Sequence, residues 1–410
     1  MKNQDLAAVC TYLQSTDAAV CSIQKALTQC KACSPEQGGD GEEKKAAWIE
    51  SYLSETKAHT TRCLCPDSRV SHGYRPTLVS TIPGRSARTV WIFSHMDVVD
   101  PGDRSAWNHD PWTVACDGTY CTGRGVEDNQ QAIVSTLLLA KALTTCSVTP
   151  DSTLGMVFMA DEESGSTYGL AYLLEQHPEY FRADDLYLVP DFGSPDASVI
   201  EVAEKASLWL RIDIQGLQCH ASTPHKGKNA FLCSSALVVA LAEELPKQYP
   251  ATDPLFDPPI STFVPSMPQS YTQGINILPG KATFHLDCRL LPAHSPQAVL
   301  DCVTQTVTTV CARFGCQGTV TTVQSQPASS IDATHPDFAT LARAVSAVYP
   351  VTPKAMGLGG ATVAQHLRAK GYPALVWSCI ENTCHAPNER SSLAATKNDS
   401  CVFAHLLFAQ

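Results

Sequence analysis

No run of apolar residues in this 410-residue chain approaches the roughly 20 that a membrane-spanning helix needs. The N-terminal segment "MKNQDLAAVCTYLQSTDAAVCSIQKAL" breaks its short apolar runs with polar residues, which is not the pattern of a secretory signal, so a cytoplasmic location is expected. Positive charge is scarce: 29 lysines and arginines face 40 aspartates and glutamates, a formal charge of -11. A nucleic-acid partner or an anionic membrane surface would call for a basic face, so neither is expected as a partner. Internal repeats and low-complexity tracts are also missing.

Cysteine is not scarce. Eighteen are scattered over a large chain with no export signal, and they read mostly as small, free, buried hydrophobes rather than a disulfide framework. Two pairs stand apart: "CKAC" (Cys30, Cys33) and "CLC" (Cys63, Cys65). The second CxxC that a structural zinc site normally needs is not there, so no role is assigned to either pair.

At 410 residues the chain exceeds the roughly 250–300 at which a single core stops growing, and two domains are expected. Residues 1–60 read as helices broken by the loop "CSPEQGGDGEEKK". From Pro76, strand-like runs ("TLVSTIPG", "ARTVWIFSHMD", "TLGMVFMA", "DLYLVPDFG") alternate with helical ones ("NQQAIVSTLLLAKAL", with apolar residues at helical spacing, and "YGLAYLLEQHP"). That alternation predicts an α/β fold with a mostly parallel sheet flanked by helices. Near Ala206 the pattern changes to half-exposed strands and long helices: "SLWLRIDIQG", "NAFLCSSALVVALAEELPK", "QGINILPG", "KATFHLDCRLLP", "PQAVLDCVTQTVTTVCARFG" and "QGTVTTVQS". This is a smaller α+β block, a four-stranded sheet with two helices. The α/β alternation then resumes to the end. The expected organisation is a discontinuous domain, 1–205 plus 327–410, with 206–326 inserted.

In an open α/β sheet the ligand site lies at the carboxyl ends of the strands. Each strand end here delivers a histidine or carboxylate: His95 and Asp97 after "TVWIFS", Asp161-Glu162-Glu163 after "LGMVFMA", Asp191 after "LYLVP", Glu381 and His385 after "PALVWSCI". Asp128 sits where the loop "GRGVED" meets a helix. Taken singly, Asp128 reads as an N-cap, Asp191 as turn chemistry and the glutamates as solvated loop residues. Taken together at one rim, imidazoles and carboxylates are a ligand set for zinc, manganese or cobalt. The carboxylates are too many for one tetrahedral ion, which favours a two-metal site with a bridging carboxylate and one carboxylate left over as a base.

The motifs "SHMDVV", "GRGVEDNQQ", "DEESGS", "GLQCHASTPHKGKNA", "NILPG", "LDCRLLP", "GGAT" and "CHAPNE" resemble, in order and spacing over roughly residues 75–400, a di-zinc metallopeptidase family. That family contains aminoacylase, acetylornithine deacetylase, succinyl-diaminopimelate desuccinylase, glutamate carboxypeptidase and carnosinase-type dipeptidases. The resemblance implies that His95 and Asp191 bind one metal and Glu163 and His385 the other, with Asp128 bridging. It implies that Asp97 orients His95, and that Glu162 is the general base and later the acid. His220, in the inserted domain, would stabilise the oxyanion, commonly from the partner subunit of a dimer. Asn276, Arg289 and the backbone of Gly359 and Gly360 would hold a substrate carboxylate. Two Zn2+ ions, or Co2+ or Mn2+, would be the cofactors, and the inserted domain would act as lid and as the interface of a homodimer. The implied reaction is amide hydrolysis in a dipeptide, short peptide or N-acyl amino acid. Asp191 stands where many deacylases carry glutamate, which favours a peptidase, with an N-acyl-amino-acid deacylase as the alternative. A non-catalytic binder would not need Glu162, and a glycosidase would need neither His95 nor His385.

Overall fold

The computed structural model describes residues 2–272 and 274–409. The chain divides into two compact units: Met1–Val202 with Ile331–Ala355 and Thr362–Gln410, and Ala203–Ser330 with Met356–Ala361.

In the larger unit the strands run in the order His59–Pro66, Tyr74–Ile82, Thr153–Met159, Thr89–His95, Leu186–Gly193, Ala374–Ser378, Val199–Glu204. The four central ones, from Thr153–Met159 to Ala374–Ser378, are parallel; Tyr74–Ile82 and Val199–Glu204 pair antiparallel to them at either side, and His59–Pro66 pairs antiparallel with Tyr74–Ile82. The parallel strands are buried on both faces and so read as continuous apolar runs; every residue of Thr89–His95 is buried. Gly155 is required where it stands: a Cβ there would come within 2.3 Å of the Trp91 ring on the neighbouring strand.

Helix Gln130–Thr145 shows why its sequence pattern was only half informative. Its apolar residues suggest one buried face, yet nearly every position is buried, Gln131, Ser135 and Thr136 included. It is packed against the sheet and against Lys2–Gln14, Asp17–Gln29 and Leu393–Leu407. Its polar side chains find partners there: Ser135 Oγ donates to the Gln131 and Thr396 carbonyls. A second cluster of the same unit is aromatic, with Trp91, Phe93, Phe181, Tyr187 and Tyr372 in mutual contact.

The smaller unit has the expected four-stranded sheet and two helices, Ala230–Gln248 and Pro296–Arg313. One strand is not the one expected. The sheet order is Thr262–Ser270, Lys281–Leu290, Ala206–Gln215, Gln317–Gln326, all antiparallel. The run "QGINILPG" contributes only Ile277–Leu278, which pairs instead with Cys219–His220 in a separate two-stranded ribbon; Gln273 lies outside the described residues. The true edge strand, "TFVPSMPQS", was masked by Pro265 and Pro268. Proline cannot donate to a ladder, and an edge strand is where it is tolerated.

Among the described residues no helix is long and apolar enough to cross a membrane. All eighteen cysteines are free. Cys63 and Cys65 alternate on the strand His59–Pro66 with both side chains buried, and Cys33 is packed against Val98 and Trp112.

Candidate metal centre

The parallel strands point their carboxyl ends the same way, and their side chains meet there. His95 is the last residue of its strand and is 2% exposed. Its Nε2 lies 2.8 Å from Asp128 Oδ1 and 3.4 Å from Asp191 Oδ1. Its Nδ1 lies 3.1 Å from the Asp97 carbonyl and 3.5 Å from Asp97 Oδ1, which fixes the ring from behind. His385 reaches the other oxygen of the same aspartate: its Nε2 is 3.1 Å from Asp128 Oδ2 and 3.2 Å from Glu163 Oε2. Asp128 therefore stands between the two imidazoles, one oxygen to each.

The turn that carries the three acids is held from below. Asp97 accepts the Glu162 N–H at 3.1 Å and the Glu163 N–H at 3.0 Å, one on each carboxylate oxygen. Asp161 has a left-handed backbone, φ 64°, and points away from the histidines, towards Arg75 at 3.3 Å and the Tyr168 N–H at 2.9 Å. Arg75 is itself paired with Glu42, both fully buried. Glu162 and Glu163 are thereby turned to the other side, where oxygens of Glu162 and Asp191 come within 4.8 Å of one another and of a His95 nitrogen. Asp128 and Glu163 form a second such group with His95.

Burial opposes charge throughout this cluster, and the neighbours decide the outcome. Burial, reinforced by Asp191, Glu163 and Asp97, pushes the Glu162 carboxyl well above the usual carboxylate range. Burial and the Asp128 charge push Glu163 up to about 7. For Asp128 the bonds to His385 and His95 outweigh burial and hold the carboxyl well below its ordinary value. The bonds to Asp128 and Glu163 raise His385 to about 10. Four carboxylates thus face two imidazoles, a shortfall of positive charge that divalent cations would meet, and nitrogen and carboxylate donors suit such ions.

Several supporting residues were not assigned a role from sequence. Asn129 donates to Asp191 Oδ1 at 2.6 Å and to the Pro190 carbonyl, while its own oxygen accepts the His95 N–H. Glu389 is fully buried, paired with Arg124, and accepts the N–H groups of Gly125, Glu127 and Asp128. Glu127 in turn accepts the N–H groups of Glu381, Thr383 and Cys384, which shapes the loop carrying His385. Glu389 and Glu127 lie inside "CHAPNE" and "GRGVEDNQQ", but nothing in their spacing shows that each caps the other's loop. Glu381 is drawn off to Arg390 at 2.9 Å.

The remaining candidates belong to the smaller unit. His220 pairs with Ile277 across the two-stranded ribbon, and the Asn276 carbonyl accepts the Ala221 N–H at 2.8 Å. The Ser222 N–H donates to His220 Nδ1, so the neutral ring carries its proton on Nε2. Arg289 is bonded to Asp287 at 2.7 Å and lies over Trp209. Around Gly359 and Gly360 there is room for a side chain.

Residues 91–409 match peptidase family M20/M25/M40. An uncharacterized metallohydrolase of Methanococcus maripaludis is 35% identical over 382 residues, spanning 88% of this chain and 92% of its own. A succinyl-diaminopimelate desuccinylase of Phenylobacterium zucineum is 26% identical over 329 residues, with 79% and 84% spanned. Among solved structures, the dipeptidase Dug1p of Saccharomyces cerevisiae shares the fold with a TM-score of 0.75 at 15% identity, covering 98% of each chain. The matched region opens just before His95 and closes beyond Glu389, so it takes in all the converging donors and the buried Glu127 and Glu389 that brace their loops; the chain belongs to peptidase family M20/M25/M40 and is a metallohydrolase acting on amide or peptide bonds.

Proposed function

We propose that this chain cleaves the amide bond of a dipeptide or short peptide with a free carboxylate, using two divalent ions, Zn2+ first among the candidates. His95 and Asp191 would hold one ion, Glu163 and His385 the other, and Asp128 both. The observation that carries this is Asp128, whose two oxygens lie 2.8 Å and 3.1 Å from two different histidines.

Bound there, the ions would supply Lewis acidity, polarising the carbonyl and acidifying a water. The rest falls to the chain. Glu162, whose carboxyl makes no hydrogen bond among the described residues and whose proton affinity is raised, takes the proton from water and returns it to the leaving nitrogen. Asp97 holds His95 and, through two peptide N–H groups, the backbone of Glu162 and Glu163. His220, with its proton on Nε2, donates to the developing oxyanion. Arg289, with Asn276 and the Gly359–Gly360 backbone, receives the substrate carboxylate; for that, its guanidinium shares or gives up Asp287.

The smaller unit (206–326 by sequence) would be lid and homodimer contact. Helix Ala230–Gln248 exposes Phe231, Leu232 and Val239, and the edge strand exposes Val264 and Met267. A groove of ≈ 540 Å³ lined by Phe231, Val239 and Pro268 lies between them. An unpaired edge beside exposed apolar side chains suits a second copy of itself.

A second reading, N-acyl-amino-acid deacylation, is favoured by the desuccinylase similarity. Assaying dipeptides and N-acetyl and N-succinyl amino acids with Zn2+, Co2+ or Mn2+ added to chelated protein decides. Dipeptide turnover lost on chelation and restored by metal is expected. Turnover that resists chelation overturns the metal mechanism, and hydrolysis confined to N-acyl substrates selects the deacylase.

A further inference from the structure

Away from this centre, the larger unit gathers three thiols. Cys116 and Cys121 face each other across the hairpin Ala115–Cys116/Tyr120–Thr122, with sulfurs 3.0 Å apart. Cys21, on helix Asp17–Gln29, brings its sulfur within 3.9 Å of Cys121 Sγ. All three sulfurs lie within 4.8 Å of one another.

The convergence is built into the scaffold. The hairpin's Asp117 N–H bonds to the Tyr120 carbonyl, so the next pair inward, Cys116 and Cys121, falls at a non-hydrogen-bonded position, where cross-strand side chains are closest. On the helix, Cys21, Gln24 and Thr28 share one face. Gln24 donates to the Val126 carbonyl and to Ser391 Oγ, and Thr28 bonds to Gln130. The strand Arg390–Ser392 closes the hairpin's other side, with Ser391 opposite Cys121. The helix is thus fastened to the hairpin's own continuation one turn from Cys21, and the sulfur triangle does not depend on sulfur contacts to exist.

From this geometry we propose that Cys21, Cys116 and Cys121 form a second kind of metal site, for one thiophilic divalent cation such as Zn2+, with water as the fourth ligand. Zinc–sulfur bonds of about 2.3 Å in a tetrahedron separate sulfurs by about 3.8 Å. The Cys21–Cys121 distance already matches, and the Cys116–Cys121 pair must open by less than about 1 Å. Cys121 is fully buried, while Cys21 and Cys116 are half-buried, which leaves one side of the triangle open to water and to an incoming ion. Charge points the same way. Burial, and then the bond to Cys116, push the Cys21 thiol up to about 11, and burial raises the Cys121 thiol as well, so these two sulfurs resist ionising. A dication removes that conflict, binding thiolates and releasing protons. Lys25, one turn on from Cys21, lowers the cost further.

The test uses the full chain, reduced, chelated and exchanged without oxygen, then titrated with Cd2+, whose thiolate charge-transfer band in the ultraviolet does not arise from histidine and carboxylate donors. One equivalent of cadmium–thiolate absorbance is expected, weakened at least tenfold in affinity by Cys21→Ser or Cys116→Ser. In parallel, mass spectrometry after alkylation, with and without Zn2+, should show Cys21 and Cys116 labelled at least tenfold more slowly with the metal, and Cys302 unchanged. The alkylation map is made on the unaltered chain and decides even where a serine variant fails to fold. Absence of the band, a band undiminished in both variants, metal-independent labelling, or a Cys116–Cys121 disulfide that survives the reductant overturns the site.

Discussion

The smaller unit is held together by apolar contact. Leu208, Leu210, Ile212, Phe284, Leu286, Val303 and Val307 close its core, and among the described residues its buried charged side chains are Glu204 and Lys205. The larger unit buries many more, among them Glu42, Arg75, Asp97, Arg124, Asp161, Glu201, Glu389 and Asp399. They are answered in pairs and small networks: Arg75 with Glu42 and Asp161, Arg124 with Glu389, Arg368 with Glu201. Such pairs add little net stability, because desolvation consumes the Coulomb gain. Their positions explain their presence: two of these three networks brace the loops that carry Asp128, Glu162, Glu163 and His385. One unit is held by packing, while the other also holds charges in a set geometry.

The largest effect that would test this contrast is catalytic. Glu162→Gln should lower kcat by about 10²–10⁴ while metal analysis still finds both ions. Undiminished turnover would remove Glu162 from the chemistry. Next in size, Arg124→Met leaves Glu389 buried and unpaired, and should cost about 3–5 kcal/mol in urea unfolding of the metal-free chain. Joining it to Glu389→Gln should recover part of that loss, whereas Leu210→Ala in the smaller core, at about 2–5 kcal/mol, has no polar partner change that rescues it. Equal rescue in both units would erase the distinction.

A smaller effect depends on pH. Asp399 is buried, accepts bonds from Ser378, Gln131 and Tyr349, and burial raises its carboxyl from 3.8 to about 6. A raised acid binds its proton more tightly when folded, so its stabilisation is complete below pH 3.8 and is lost as pH rises through 6. Relative to Asp399→Asn, the unaltered chain should therefore lose on the order of 3 kcal/mol between pH 3.5 and 7. Chemical unfolding at both pH values checks the sign. The smallest effect on stability is expected at the exposed edge of the other unit. Val264→Lys should change monomer stability by less than about 0.5 kcal/mol yet abolish the proposed dimerisation, which ultracentrifugation of the unaltered chain should show first. A dimer that survives it uses another face.

The strand-and-helix order and the histidines and acids at strand ends were legible in the residues, because buried parallel strands need continuous apolar runs and their ends are where polar side chains can emerge. The strand His59–Pro66 lies mostly in the stretch between residue 60 and Pro76, where no element was read, and Thr262–Ser270 was hidden by two prolines tolerated only at an edge. Asn129, Glu42 and the reciprocal bracing by Glu127 and Glu389 left no local trace, since their partners are up to 265 residues away.

From its sequence alone this chain is determined to be an α/β protein with an α+β insertion and a rim of imidazoles and carboxylates, because local periodicity and residue chemistry suffice for that. Tertiary structure alone decided that Asp128 faces both histidines, that Asp161 turns away from Glu162 and Glu163, and that Cys21 meets a hairpin about 100 residues on. Each of those facts rests on long-range contacts and on which way a backbone turns, and neither is encoded in any short run of residues.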